Sequence, residues 1–127
     1  MTARGYEDAE QIALFQWARL QARAWPELVL LHHIPNGGYR IPAEAKRLQA
    51  MGVRAGVPDV CLPVPRGCYH GLYIEMKRTD GGRVRPDQRG WLDALREQGF
   101  RAEVCHGFDE ARACIEDYMR EGAYHGA

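Results

Sequence analysis

The sequence has no apolar run long enough to cross a bilayer, and its first five residues lack the apolar character of an export signal. Its four cysteines include no CxxC pair, so we expect reduced thiols, with a zinc site at Cys61, Cys68 and His70 as the weaker alternative. The five histidines form no spaced cluster, and we assign them core or surface roles. We therefore expect a cytoplasmic protein without a membrane segment.

The formal net charge is also zero, which by itself gives no sign of a polyanionic partner. The charge is nevertheless uneven along the chain. Residues 36–89 hold ten basic and five acidic side chains, whereas residues 1–35 hold three against four and residues 90–127 hold four against eight. Positive charge is therefore concentrated in the middle of the chain, as binding to a phosphate backbone requires.

At 127 residues the chain is long enough to bury the core of one domain and too short for two. We expect a single domain over residues 1–127, with a mobile tail from about residue 122.

The middle segment contains the stretch around which the chain is organised, Gly56-Val57-Pro58-Asp59-Val60 followed by Gly71-Leu72-Tyr73-Ile74-Glu75-Met76-Lys77. The prolines and glycine between these two parts predict a β-hairpin. The strand period places Tyr73, Glu75 and Lys77 on one face. With Asp59 at the start of the partner strand, two carboxylates and an ammonium converge. Carboxylates at close range repel each other, and a hard divalent cation with oxygen ligands relieves that repulsion.

Hydrophobic periodicity and breaker residues place the other elements. On the helix that begins at Pro86, Gln88 and Trp91 share the inward stripe, so Gln88 faces the sheet beside Lys77. The run at 28–34 reads as a strand inside the sheet, and Asp109 is the expected N-cap of the last helix. In full, we predict helices over 6–24, 42–51, 86–98 and from 109 onward, and strands over 28–34, from Asp59 with its hairpin partner 71–77, and over 101–106.

Pro58-Asp59 followed by Glu75-Met76-Lys77 resembles the PD-(D/E)XK nuclease motif. The surrounding sequence segments are similar to the VRR-NUC branch of that superfamily, which includes short stand-alone proteins of phages and bacteria. These segments are Ile34 to Gly38, Gly52 to Asp59, Ile74 to Lys77, and Gln88 with Trp91, and the resemblance extends from about Glu7 to Tyr118.

The resemblance implies a restriction-endonuclease-like α/β sandwich, in which helices flank a mixed central sheet and the helix at 42–51 is an insertion. One departure concerns the third predicted helix. The resembled pattern usually has Ser or Thr before its proline, whereas this chain has Arg85, whose side chain cannot accept the hydrogen bond of an N-cap. We expect this helix start to fray.

The resemblance also implies a phosphodiester hydrolase that depends on Mg²⁺ or Mn²⁺. Asp59, Glu75 and the backbone carbonyl of Met76 are the implied metal ligands. A glutamate of the first helix is expected to reach the same site, with Glu7 as the expected match and Glu10 as its competitor.

Two further residues complete the implied catalytic set. Lys77 orients the attacking water, stabilises the developing charge or takes the proton of that water, and sequence does not choose among these roles. Gln88 supports the active site in relatives of the family, although an inward glutamine is often a satisfied core group. The implied products carry 5′-phosphate and 3′-hydroxyl ends.

Polar and basic residues near the predicted site are the candidates for contacts with the nucleic acid backbone. They lie in the turn at 35–40, on and after the helix at 42–51, and in the flexible loop at 78–85. The candidates are Asn36, Arg40, Lys46, Arg54, Arg78, Arg83 and Arg85.

Stand-alone members of the resembled group are associated with the resolution of four-way DNA junctions, where a symmetric dimer places two sites on two strands. We therefore expect a homodimer acting on branched DNA, with Trp25, Tyr39 and Tyr124 as interface candidates. Three alternatives stay open: a flap or single-strand nicking nuclease, a catalytically silent DNA-binding module, and a hydrolase of small phosphoesters.

Overall fold

The computed structural model describes residues 2–35 and 41–126, without the side chains of Ala3 and Arg4. In this part of the chain, four strands form one sheet in the order β1-β2-β3-β4, and helices cover both faces. No described helix is long and apolar enough to span a membrane. The helices are α1 (Ala3–Gln21), α2 (Pro42–Ala50), α3 (Pro86–Glu97) and α4 (Phe108–Met119), and the strands are β1 (His32–His33), β2 (Val60–Leu62), β3 (Leu72–Lys77) and β4 (Arg101–His106).

The sheet is mixed, as predicted. β1 pairs with β2 and β2 with β3 in antiparallel fashion, which confirms the hairpin, whereas β3 and β4 are parallel. The registers that define the site are Val60 opposite Ile74 and Lys77 opposite His106. The end of the hairpin that carries Lys77 therefore extends beyond β2 and lies beside the end of β4.

The two faces of β3 pack against different helices, because successive side chains of a strand point to opposite sides. Leu72, Ile74 and Met76 join the larger core with residues of α1 and α4. Tyr73 packs on the smaller core beneath α3, which contains Leu92, Leu95 and Ala102. The predicted α/β sandwich is confirmed, and Glu75 and Lys77 face the α3 side.

The prediction of an internal strand over 28–34 is wrong. Residues Pro26–Leu30 form a 3₁₀ helix, and only the two residues of β1 pair with the sheet, at its edge. Pro26 suits the start of such a helix because it has no N–H to leave unpaired. Leu28 and Leu31 are buried while Val29 is exposed, a spacing of three that fits a 3₁₀ turn. A short apolar run does not distinguish these alternatives.

The expected N-cap of the last helix is also wrong. α4 begins at Phe108, and its N-cap is Gly107, at φ 91°. The Phe108 amide donates to the Glu10 carboxylate at 2.7 Å, so a side chain of α1 caps α4. Asp109 lies in the first turn instead, where a negative side chain interacts favourably with the helix dipole.

The C-terminal tail lies against the turn that joins β2 to β3. Gly67 donates its amide to the carbonyl of Gly122 at 3.1 Å, and His125 donates its amide to the carbonyl of Gly67 at 3.0 Å. The mobility of the tail stays a prediction, and these two bonds are the contacts that a mobile tail would have to break.

Candidate active site

Asp59 is fixed at the entrance to β2 by bonds on both sides. Its backbone carbonyl accepts the Ile34 amide at 2.7 Å and His33 Nδ1 at 2.8 Å. Its carboxylate accepts the Met76 amide at 2.8 Å through Oδ2. The side chain therefore lies across the end of the hairpin, beside β3.

The loop before Asp59 contacts α3 through Gly56. A Cβ at Gly56 would lie 2.7 Å from the carbonyl oxygen of Asp87 and 3.0 Å from Cδ1 of Trp91, and Gly56 has φ 92°. Only glycine accommodates both the positive φ and this backbone approach. The contact places the loop that carries Asp59 against the helix that carries Gln88.

Glu75, Lys77 and Gln88 form a buried polar network on the α3 side of the sheet. Their exposed fractions are 3%, 8% and 7%. Gln88 donates through Nε2 to Glu75 Oε2 at 3.2 Å and accepts at Oε1 from Lys77 Nζ at 3.0 Å. Lys77 Nζ also lies 3.8 Å from Glu75 Oε2. The predicted proximity of Gln88 and Lys77 is therefore what the structure has.

Gln88 also resolves the missing cap at Arg85. Its Oε1 accepts the backbone amide of Arg85 at 2.9 Å, which is the half of a capping box that a glutamine at the third helical position supplies. α3 starts at Pro86 with this bond in place of a side-chain cap from Arg85. One amide oxygen thus serves both Lys77 and the start of the helix.

The environment of Glu75 favours its protonated form. Burial and the neighbouring Asp59 carboxyl raise the pKa of Glu75 from its ordinary value near 4.5 to about 9, although Lys77 and Arg85 act in the opposite direction. Glu75 Oε1 is buried and has no hydrogen-bond partner among the described residues. A buried carboxylate oxygen without a partner is costly unless a cation or a proton satisfies it.

These donors fit a hard divalent cation. Asp59 and Glu75 provide carboxylate oxygens, one of them without a partner, and such cations prefer oxygen ligands. The carbonyls of Gly71 and Lys77 accept amides of Arg101 and Gly107 on the β4 side. Successive residues of a strand direct their backbone groups to opposite edges. The Met76 carbonyl therefore points away from β4, to the same side as the Met76 amide, which faces Asp59.

The two first-helix candidates have different surroundings. Glu10 caps α4 through Phe108, which occupies one of its carboxylate oxygens. Glu7 is half-buried on α1. Within the described residues, no three His, Cys, Asp or Glu side chains are grouped closely enough to hold a metal, so the structure does not join a third acid to Asp59 and Glu75.

The candidates for backbone contact differ in how exposed they are. Arg78 is half-buried and lies 3.4 Å from Asp80, and Arg85 is exposed and bonded to Asp87 at 3.1 Å. Three more are exposed: Lys46, Arg54 and Arg83. Asn36 and Arg40, together with Tyr39, lie outside the described residues.

Sequence reasoning missed the contacts of His106 in this region. Its Nδ1 lies 3.0 Å from the carbonyl oxygen of Arg78 and 3.1 Å from that of Gly81, in the loop at 78–85, which we call the basic loop. The sequence holds only an indirect signal for these contacts, because His106 lies opposite Lys77 only once β4 is placed parallel to β3.

Comparison with known proteins agrees with this geometry. The sequence model of the VRR-NUC domain matches residues 7–109. A solved VRR_NUC domain protein is 31% identical and superposes with a TM-score of 0.83 over 96% of this chain and 94% of its own. No curated protein matches significantly. Fold and site together define an α/β nuclease domain. The chain belongs to the VRR-NUC domain family, as predicted.

Proposed function

We propose that this nuclease domain is a DNA endonuclease that depends on Mg²⁺ or Mn²⁺. The observation that carries the proposal is the buried Glu75 Oε1, which lacks a partner among the described residues, beside Asp59 and the Lys77 ammonium. A site that serves only to bind DNA has no need to hold two carboxyl groups side by side, one of them buried, because carboxylates repel each other and also repel a polyanion.

Asp59, Glu75 and the Met76 carbonyl would hold the ion, with Glu7 contributing directly or through water. When bound, such an ion polarises a phosphate oxygen and acidifies a coordinated water. Asp59 is held for this task by the Met76 amide, and Glu75 is oriented by Gln88.

Lys77 supplies the proton donors of the site. One N–H is directed to Gln88 Oε1, which leaves the ammonium with further donors for a substrate phosphate or an attacking water. Lys77 Nζ also lies 3.8 Å from Glu75 Oε2, so the ammonium stays beside the carboxyl group of the site. Lys77 therefore orients the attacking water or balances the negative charge on the phosphate. It could accept the proton of that water only as a neutral amine.

Affinity for the DNA backbone would come from cations around this site. The exposed side chains Lys46, Arg54, Arg83 and Arg85 lie on α2, the loop before β2 and the loop before α3. With Arg78, Asn36 and Arg40, they would contact phosphates rather than bases, since phosphate contacts give affinity without sequence preference.

For the DNA structure, we propose a four-way junction cut by a homodimer, since two identical sites related by a two-fold axis match two symmetric strands. Two interface candidates have contacts within the chain. Trp25 is partly buried beneath Arg120, whose guanidinium lies 5.6 Å from its ring. Tyr124 is 43% exposed and has its hydroxyl 3.4 Å from His70 Nδ1.

The test combines solution mass with cleavage of three matched substrates, a four-way junction, a flap and a linear duplex, in Mg²⁺, in Mn²⁺ and in EDTA. We expect a dimer that makes paired symmetric nicks in the junction and no cutting in EDTA. A monomer that cuts the flap best would refute junction resolution and leave the nuclease chemistry intact. Binding without any cutting in either ion would favour the catalytically silent module.

A further inference from the structure

His106 lies directly across the sheet from Lys77 and contacts the loop that follows it. The two residues are partners in the β3–β4 register, and the amide of the next residue, Gly107, donates to the Lys77 carbonyl at 3.0 Å. The imidazole reaches the carbonyl oxygens of Arg78 and Gly81 at 3.0 and 3.1 Å through Nδ1. Gly81 also donates its amide to the Arg78 carbonyl at 3.3 Å, so residues 78–81 form a β-turn.

The chemistry of this contact determines the proton on the ring. Both partners are carbonyl oxygens, which only accept, so Nδ1 must carry the hydrogen that the two carbonyls share. Nδ1 keeps this hydrogen in the neutral tautomer and in the imidazolium alike. The anchor therefore operates in both protonation states of His106.

The basic loop is thus held at both ends. His106 holds its first turn at Arg78 and Gly81, and Gln88 holds its last residue through the Arg85 amide at 2.9 Å. Between these anchors lie Gly82, Arg83 and Val84. Two glycines in the loop, at φ 132° and 95°, would otherwise give it a large choice of conformations.

We propose that His106 is a positioning residue that holds loop 78–85 in its DNA-contacting conformation, an inference that rests on the proposed function. A loop already ordered does not lose conformational entropy when Arg78 and Arg83 contact phosphates. Without the anchor, that entropy is lost on binding and a phosphate contact of the loop forms less often, so affinity decreases while the chemistry at Glu75 and Lys77 does not change. His106 acts through the loop and touches no reacting atom.

The test compares His106→Asn with His106→Gln. The amide of Asn lies at the same distance from the backbone as Nδ1, so it can still donate to the two carbonyls, whereas the amide of Gln lies one bond farther out. Both variants carry the same polar group, which makes them matched in charge and polarity. We expect His106→Gln to raise KM by about three- to tenfold, the loss expected for one hydrogen bond, with kcat unchanged.

Two further readouts separate positioning from a general loss of structure. The slope of log Kd against log salt should fall for His106→Gln by about one phosphate contact and stay at the wild-type value for His106→Asn. Trypsin should cut after Arg83 faster in His106→Gln than in His106→Asn, without DNA. If the two variants match in KM, salt slope and trypsin cutting while the wild type cuts DNA, the inference alone is overturned. A wild type that neither binds nor cuts DNA would overturn the proposed function as well.

Discussion

Gln88 connects three parts of the site through one side-chain amide. Its oxygen accepts from Lys77 and from the Arg85 backbone, and its nitrogen donates to Glu75. Because two donors converge on Oε1 and a carboxylate lies opposite Nε2, the orientation of the amide is determined. Losing it would leave a buried ammonium and a buried carboxyl group each short of a partner, which costs about 1–3 kcal/mol per group. Gln88 therefore stabilises the site and the start of α3 together.

At the same scale, Glu75 makes the stability of the metal-free protein depend on pH. Its pKa is about 9 in the fold and near 4.5 otherwise, so between these values the folded state holds a proton that the unfolded state has lost. The contribution of Glu75 to stability is therefore fully present below about pH 4.5 and is lost as pH rises towards 9. Glu75→Gln, which is always neutral, should remove this loss.

Urea unfolding in EDTA at pH 5 and pH 8 tests this expectation. We compare the free energy of unfolding of Glu75→Gln with that of the wild type at each pH. The difference should favour the variant more at pH 8 than at pH 5. Glu97→Gln, at an exposed position of α3, is the control and should show no such difference. An equal effect of Glu75→Gln at both pH values would contradict the raised pKa.

At the scale of elements, the site depends on how closely the loop before β2 approaches α3. The loop carries Asp59 and α3 carries Gln88, and Gly56 allows their backbones to meet. The smaller core of Leu92, Leu95 and Ala102 fixes α3 on the sheet, so the loop has to conform to the helix. Local backbone geometry at one glycine thus sets the separation between two site residues.

Gly56→Ala should therefore destabilise the protein more than Gly52→Ala. Both glycines have positive φ, at 92° and 108°, and each alanine would cost about 1–3 kcal/mol in backbone strain. Only at Gly56 would the new methyl also meet backbone atoms, at 2.7 Å, while Gly52 has open space. Thermal or urea unfolding measures both. Equal losses would show that the loop moves freely away from α3.

The basic loop gives a second prediction at this scale. Replacing both Arg83 and Arg85 with alanine should weaken DNA binding and lower the slope of log K against log salt by about two. The reason is that binding releases fewer counterions when two phosphate contacts are missing. Arg19→Ala together with Arg23→Ala, exposed near the end of α1, is a matched control of equal charge. A salt slope that the loop variant leaves unchanged would show that the loop does not touch the backbone.

At the scale of the whole molecule, the sequence predicts the hairpin, β4 and three of the four helices closely, because each has regular periodicity and a clear breaker. It also predicts that Gln88 faces Lys77. It could not place the 3₁₀ helix at 26–30, whose apolar run is too short to show a period. The cap of α4 by Glu10 and the anchor from His106 join residues far apart in the chain, and only the assembled fold brings them together.

The proposed mechanism separates two tasks in the molecule: Asp59 and Lys77 would serve hydrolysis, while other residues would supply DNA affinity. Single-turnover cleavage in Mg²⁺ or Mn²⁺, beside binding measured by fluorescence anisotropy, tests it with wild type, Asp59→Asn and Lys77→Ala. We expect metal-dependent cutting by the wild type, a loss of at least about a hundredfold in each variant, and Kd values within about threefold of wild type. Cutting by Asp59→Asn at the wild-type rate, or no cutting by the wild type with either ion, would contradict the account.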